Sequence, residues 1–322
     1  MPARQPLIVV VGSLNMDLVL RCHQLPQPGE TVTATESRTI PGGKGANQAV
    51  AAARLGARVA MIGRVGDDPF GRTLRHTLER EGVDVASVQS TADTPSGMAL
   101  ITVENSSQNT IVVDPGANAR LTPADGHAAQ HTIAAADVLL LQLEVPAPAN
   151  IAALQIARRH GVPVQLNPAP TPASCSLPPE LWSADWLCPN ETEAATLTGL
   201  PANSPSIAAA AAHRLAQRGA GKVLVTLGQH GLLLVTQNQC HHAGAFSIQS
   251  ADATAAGDAC VAAWAVAIAE GRSLPDCLRF AAAAGAITVS RPGASTSLPV
   301  RSDVEGLMEA QPAAARIQDI TD

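Results

Sequence analysis

Three glycines crowd the segment Pro41-Gly42-Gly43-Lys44-Gly45-Ala46-Asn47-Gln48-Ala49, just ahead of an alanine-rich run. Glycine before a helix exposes backbone N–H groups and permits close approach by a ligand. The segment is not a Walker A loop, because Arg38 stands where the first glycine belongs and no Ser or Thr follows Lys44. Lys44 and Lys222 are the only lysines in a chain that otherwise uses arginine. A compact ammonium retained in a glycine loop suits contact with a hydroxyl or a phosphate. An ordinary glycine-rich helix start is the competing account.

A second segment, Asp252-Ala253-Thr254-Ala255-Ala256-Gly257-Asp258, leads into the apolar run 259–269. Small residues at a helix N-terminus form an anion site that favours a phosphate. Asp258 then falls in the first helical turn, where a carboxylate can take a proton from an attacking hydroxyl. A plain N-terminal aspartate would look the same. Three weaker segments follow. Pro189-Asn190-Glu191-Thr192-Glu193 could serve Mg²⁺, but Asn190 with Glu193 has the spacing of a capping box, which locally is the better account. Thr226-Leu227-Gly228-Gln229-His230-Gly231 is either a backbone surface for a nucleotide or a hairpin turn. Asn15 and Asp17, beyond the first strand, could hydrogen-bond a polyol, or Asp17 could be a buried turn residue.

These segments need a frame. Runs 7–11, 59–62, 138–143, 162–166 and 223–227 are short and apolar, and stretches 46–55, 70–80, 146–160 and 206–218 have helical spacing. Apolar strands alternating with helices predict an α/β protein whose parallel sheet is covered on both faces. Residues 31–40 and a hairpin, 98–103 with 110–113 around 105–108, break the rhythm. They predict a small β-layer, either a lid or an edge sheet. A proline-rich loop at 168–179 and a polar C-terminal tail complete the chain.

Composition removes other classes. The chain has 322 residues, net charge −6, 46% hydrophobic and 2% aromatic residues. Its longest apolar run, 259–269, is short of the ~20 residues of a membrane span, and the start reads as a first strand. Dispersed charges of both signs with an acidic balance disfavour nucleic acid or an anionic membrane as partner. Cys22, Cys175, Cys188, Cys240, Cys260 and Cys277 form no Cys-x-x-Cys pair and read as buried hydrophobes in a reducing cytosol. His127, His131, His241 and His242 read as surface or loop residues.

In this order the motifs resemble the ribokinase-like (PfkB) family of carbohydrate kinases, over about residues 7–299. Residues 42–49 match its first signature and 252–258 its second. The Gly-Gly-Lys-Gly-Ala-Asn-Gln-Ala stretch is similar to the ribose-phosphorylating branch. So are Pro28-Gly29-Glu30-Thr31, Asp114-Pro115-Gly116-Ala117-Asn118-Ala119 and Asn167-Pro168-Ala169-Pro170. The resemblance implies a three-layer αβα body (1–13, 42–95 and 116–322) with a central, mostly parallel sheet. A small inserted β-sheet lid (14–41 and 96–115) would cover the sugar and carry a homodimer contact.

The implied reaction is ATP-dependent phosphorylation of D-ribose at O5, giving D-ribose 5-phosphate and ADP in the cytoplasm. Asp258 would be the general base, and the N–H groups of Ala255, Ala256 and Gly257 the anion hole. Asn15, Asp17, Gly43, Lys44, Asn47 and Glu144 would hold the sugar. Asn190, Thr226, Gly228, Gly231 and Gly257 would contact ATP. Asn190 and Glu193 would influence Mg²⁺ through water, which the resemblance sets against the local capping account. K⁺ would bind Asp252, Ser297 and the carbonyls of Thr254, Thr288, Arg291 and Gly293.

The chain departs from the family pattern at Ala253, at Ala259-Cys260-Val261-Ala262 and at Ala282. The alternatives are a related kinase for 2-deoxyribose, another pentose or a nucleoside, and a catalytically weak sugar-binding regulatory protein. A nicotinamide dehydrogenase is disfavoured, since no Gly-x-Gly-x-x-Gly follows the first strand.

Overall fold

The structure, a computed structural model, describes residues 4–104, 108–237 and 239–320. Its first strand, β1 (Leu7–Val11), shows why the apolar runs are unbroken. Ile8 and Val10 join one core cluster and Val9 and Val11 another, one on each face of the sheet. β8 (Val138–Leu141) and β4 (Arg58–Gly66) flank β1 in parallel, and β5 (Val83–Thr91) extends the β4 side. On the other side β9 (Val164–Leu166), β10 (Trp186–Leu187) and β11 (Lys222–Thr226) continue the parallel order. β12 (Leu232–Val235), β13 (Cys240–Ala243) and β14 (Ile317–Asp319) then add antiparallel.

One core lies under α1 (Lys44–Arg54), α2 (Pro69–Arg80), α8 (Ala256–Ala269), α9 (Leu274–Val289) and α10 (Arg301–Ala310). The other lies under α4 (Gln130–Ala134), α5 (Ala147–Arg159), α6 (Glu191–Thr198) and α7 (Pro205–Gln217), with α3 (Pro123–Ala128) against α5. This is a three-layer αβα body around a mostly parallel sheet. Every residue of α8 from Asp258 to Ala267 is buried, which explains its unbroken apolar sequence: it packs between α1 and α9.

A separate four-stranded sheet has the order β3-β2-β6-β7, with β2 (Asn15–Cys22), β3 (Glu36–Gly42), β6 (Gly97–Glu104) and β7 (Asn109–Asp114). β6 and β7 form the expected hairpin, and residues 105–107 of its turn lie outside the described residues. Two expectations need correcting. Regular structure in the 31–40 region starts only at Glu36, and it pairs with Asn15–Cys22, where Asp17 lies on a strand and not in a turn. The supposed polar tail holds α10 and β14, the latter extending the main sheet. His241 and His242 sit on β13, half-buried, with His241 Nδ1 2.6 Å from Asp319 Oδ1. Cys175 is exposed, unlike the other five cysteines.

Candidate active site

The connections leaving the carboxyl ends of β1, β8, β9 and β10 carry Ser13, Glu144, Asn167 and Asn190, and Thr226 is the last residue of β11. That edge is where ligands bind in open α/β sheets. α1 and α8 bring their N-termini to it, and their side chains meet at Asp258. Asn47 Nδ2 donates to Asp258 Oδ2 at 3.0 Å, and Gln48 Nε2 donates to Oδ1 at 3.1 Å. Burial pushes the Asp258 carboxyl up from its ordinary value; Lys44, Asn47 and Gln48 oppose that, and Glu144 adds to it.

The first turn of α8 is prepared to receive an anion. Ala255 holds φ +60°, a left-handed conformation that costs a non-glycine residue about 1–2 kcal/mol. No side chain among the described residues caps this end. A Cβ added to the exposed Gly257 would meet no described heavy atom within 4 Å. The Ala256 N–H donates to the Ala253 oxygen at 3.3 Å, while those of Ala255 and Gly257 find no backbone acceptor among the described residues.

At α1 the glycines answer to the protein itself. Gly43 holds φ +92°, and a Cβ on it would lie 2.8 Å from the Asn15 nitrogen. A Cβ on Gly45 would lie 2.6 Å from the Ser13 nitrogen, and one on Gly42 would lie 2.3 Å from Asp17 Oδ2. Much of the closeness these glycines allow serves the β1–β2 connection. Glu144 ties the same loops together, accepting from Ser13 Oγ at 2.5 Å and from the Lys44 N–H at 3.0 Å. Asn118 fixes Asn15: its Nδ2 donates to Asn15 Oδ1 at 2.7 Å, and its Oδ1 accepts from the Leu14 N–H at 2.9 Å. The sequence reading quoted Asn118 inside a family segment and gave neither it nor Ser13 a role.

Asp17 lies on β2, buried, with its pKa raised to about 7 by burial, then by Glu144 and Asp258. Burial alone would lower the Lys44 ammonium, but Asp258, Glu144 and Glu193 together hold it above its ordinary value. One lysine thus faces three carboxylates. Asn47 Oδ1 is buried with no partner among the described residues, an acceptor left for a donor such as a sugar hydroxyl. Asn15, Asp17, Gly43, Lys44, Asn47, Glu144 and Asp258 are therefore brought into one neighbourhood.

Asn190 and Glu193 form the capping box that their spacing suggests. Asn190 Oδ1 accepts from the Glu193 N–H at 2.8 Å, and Glu193 Oε2 accepts from the Asn190 N–H at 2.9 Å. Asn190 Nδ2 takes the other Glu193 oxygen at 2.9 Å. Burial raises the Glu193 carboxyl, Asn190 and Lys44 oppose this, and Asp258 adds to it. Thr226 bridges to Asn190 between strands. Gly228 and Gly231, at φ +49° and +86°, form the turn joining β11 to β12, so the hairpin account holds locally. A Cβ on Gly231 would lie 2.0 Å from the Ala243 oxygen, whereas one at Gly228 would meet only Glu191 Oε2, at 4.0 Å.

Asp252 organises the loop before α8. Its Oδ1 accepts from the Thr254 N–H at 2.9 Å and from Thr254 Oγ1 at 2.7 Å; its Oδ2 accepts from the Gly293 N–H at 3.0 Å. Burial raises its carboxyl, but these bonds and Arg21 outweigh it and hold the pKa low. Thr288, Arg291 and Ser297 flank Gly293; the Thr288 carbonyl accepts from the Arg291 N–H at 3.1 Å, and Ser297 is fully buried. The donors here are oxygens only, which fits a hard cation. No group of three or more His, Cys, Asp or Glu placed to hold a metal occurs among the described residues.

The fold, the uncapped helix and the buried carboxylate beside a lysine define a class, and the sequence profile of the family described as pfkB family carbohydrate kinase matches residues 5–301. The chain belongs to that family and is a carbohydrate kinase. It is 39% identical over 303 residues to the ribokinase of Haemophilus influenzae, covering 94% of this chain and 98% of that protein. It is 35% identical over 292 residues to the deoxyribokinase of Salmonella typhimurium, covering 91% and 95%. The ribokinase of Arabidopsis thaliana, solved with ribose and ATP, superposes with a TM-score of 0.88 at 36% identity, covering 95% of this chain and 99% of that one. No helix among the described residues is long and apolar enough to cross a membrane.

Proposed function

We propose that this chain phosphorylates D-ribose at O5 with ATP, giving D-ribose 5-phosphate and ADP, with Asp258 as general base. The observation that carries the reading is the buried Asp258 carboxylate, held by Asn47 and Gln48 in the first turn of an uncapped helix. The ribose O5 oxygen attacks the γ-phosphorus as its proton passes to Asp258, and ADP leaves with the β–γ bridging oxygen. The N–H groups of Ala255, Ala256 and Gly257 face the charge that grows on the γ-phosphoryl oxygens. Asp17, Asn15, Asn47, Gly43, Lys44 and Glu144 hold the sugar hydroxyls, and orientation accounts for much of the rate.

Asn190, Thr226, Gly228 and Gly231 line the nucleotide side. Mg²⁺ would neutralise phosphate charge, held through water near Asn190 and Glu193, because both Glu193 oxygens already accept from Asn190. K⁺ would be held by Asp252, Ser297 and the carbonyls of Thr254, Thr288, Arg291 and Gly293. Asp252, bonded to Thr254 and Gly293, fixes the loop that shapes the anion site. Segments 14–41 and 96–115 act as the lid. Leu100 on β6 and Ile111, Val112 and Val113 on the edge strand β7 are exposed, which supports a homodimer through that sheet. The cytoplasm is the proposed compartment.

A second reading, a kinase for 2-deoxyribose, is favoured by the 35% identical deoxyribokinase. Ala259, Cys260, Val261 and Ala262 are all buried while Asp258 keeps both amide partners, which speaks against a protein that only binds sugar. The test is ADP release with D-ribose, 2-deoxyribose, other pentoses and nucleosides, with MgATP and with or without K⁺. Ribose is expected to give the highest kcat/KM, with K⁺ raising it. A higher value for 2-deoxyribose would install the second reading, and ribose binding without turnover would defeat both.

A further inference from the structure

Behind the base stands a chain of buried amides, of which the reaction above uses only Gln48. Gln142, just past β8, donates from Nε2 to Gln48 Oε1 at 2.6 Å. Gln48 Nε2 in turn donates to Asp258 Oδ1 at 3.1 Å and to Asn167 Oδ1 at 3.3 Å. Both glutamines are fully buried. We propose that Gln142 and Gln48 are positioning residues for the phosphoryl transfer, Gln142 fixing which end of the Gln48 amide faces Asp258. The inference rests on Asp258 being the base.

With the Gln48 amide turned over, its oxygen would face the Asp258 carboxylate and its nitrogen would face the Gln142 nitrogen, two repulsive contacts in a buried place. The Gln142 donor opposes that arrangement together with the Asp258 carboxylate, which can only accept. The relay is retained at a cost: Gln142 Oε1 has no partner among the described residues, and a buried orphan acceptor opposes folding. Space is also reserved for it, because a Cβ on Gly12 would lie 2.0 Å from Gln142 Oε1. The Gln142 backbone oxygen is fixed as well, accepting from Asn150 Nδ2 at 2.6 Å.

The charged groups facing Asp258 are Lys44 from α1, Glu144 from the β8 end, Asp17 from β2 and Glu193 from α6. Three of the four are carboxylates that favour its neutral form. The Gln48 donor works with Lys44 and Asn47 to favour the ionised form that catalysis needs.

The experiment measures kcat and KM for D-ribose with saturating MgATP from pH 5 to 9, in Gln48→Met, Gln142→Met and Gln165→Met. Gln165 is the structural control: it is buried, and its Nε2 donates to the Val261 oxygen of α8 at 2.8 Å without touching Asp258. In Gln48→Met the acid limb of kcat should rise by about one pH unit, with kcat near neutrality down ~10-fold and KM within ~2-fold. Gln142→Met should move the limb the same way by about half a unit, while Gln165→Met lowers the melting temperature and leaves the limb in place. Wild-type limbs in both relay variants, or an equal shift in all three, would overturn the proposal. If Gln48→Met does not fold, Gln142→Met decides alone. Full activity in Asp258→Asn would instead defeat the base assignment beneath it.

Discussion

Two helices begin with small residues at the same edge of the sheet, and they do so for opposite reasons. At α1, an added side chain on Gly43 or Gly45 would strike the backbone of residues 13–15. At α8, Gly257 is exposed and would meet nothing described within 4 Å. The first helix start is filled by the protein and the second is left open. A glycine-rich segment before a helix therefore reports close packing as readily as a ligand, and the built contacts decide which. The proposed site uses both: α1 supplies side chains held in place, and α8 supplies a helix start that no side chain among the described residues caps.

Substitution can break this contrast. Gly45→Ala forces a methyl group to within 2.6 Å of the Ser13 nitrogen, so the loops bearing Asn15 and Glu144 must shift. Overpacking of this kind costs about 1–3 kcal/mol or more, and a thermal melt should show a loss of several degrees together with lost activity. Gly257→Ala should leave the melt within about 1 °C, since the space is open, yet lower kcat ~10-fold by crowding the phosphate. Equal losses of stability in the two variants would erase the distinction.

Asp17 sharpens the same contrast through pH. Its pKa of about 7, raised by burial and by Glu144 and Asp258, exceeds that of an unfolded aspartate. The folded state therefore binds the proton more tightly. This contribution stabilises fully below pH ~4 and is lost as pH rises towards 7. Asp17→Asn should raise the melting temperature of the ligand-free protein at pH 8, make no difference at pH 4, and weaken ribose binding. A variant less stable than the parent at pH 8 would contradict this. The smallest effect belongs to the lid: Val112→Lys, at an exposed edge position, should shift sedimentation from dimer to monomer with little change in the melt.

The body of the fold was legible because a strand covered on both faces must be apolar throughout, as Ile8 to Val11 are. β2 was hidden because Asn15 and Asp17 occupy its inward positions, where function replaces the apolar pattern. α10 and β14 were hidden for another reason: α10 buries only Val304, and β14 leaves Gln318 and Asp319 exposed. Asp258 and Lys44 stood out by type and setting. Ser13, Asn118, Gln48 and Gln142 did not, because each acts on a neighbour brought close only by folding. The capping-box spacing of Asn190 and Glu193 forecast their bonds correctly.

The account turns on Asp258 serving as the base at an open helix end, and one measurement addresses it most directly: kcat for ADP release with D-ribose, MgATP and K⁺ in Asp258→Asn beside the parent, with melting temperatures recorded together. The account predicts a loss of ~10³-fold or more with a folded, ribose-binding protein. A folded variant that retains the parent's kcat would contradict it.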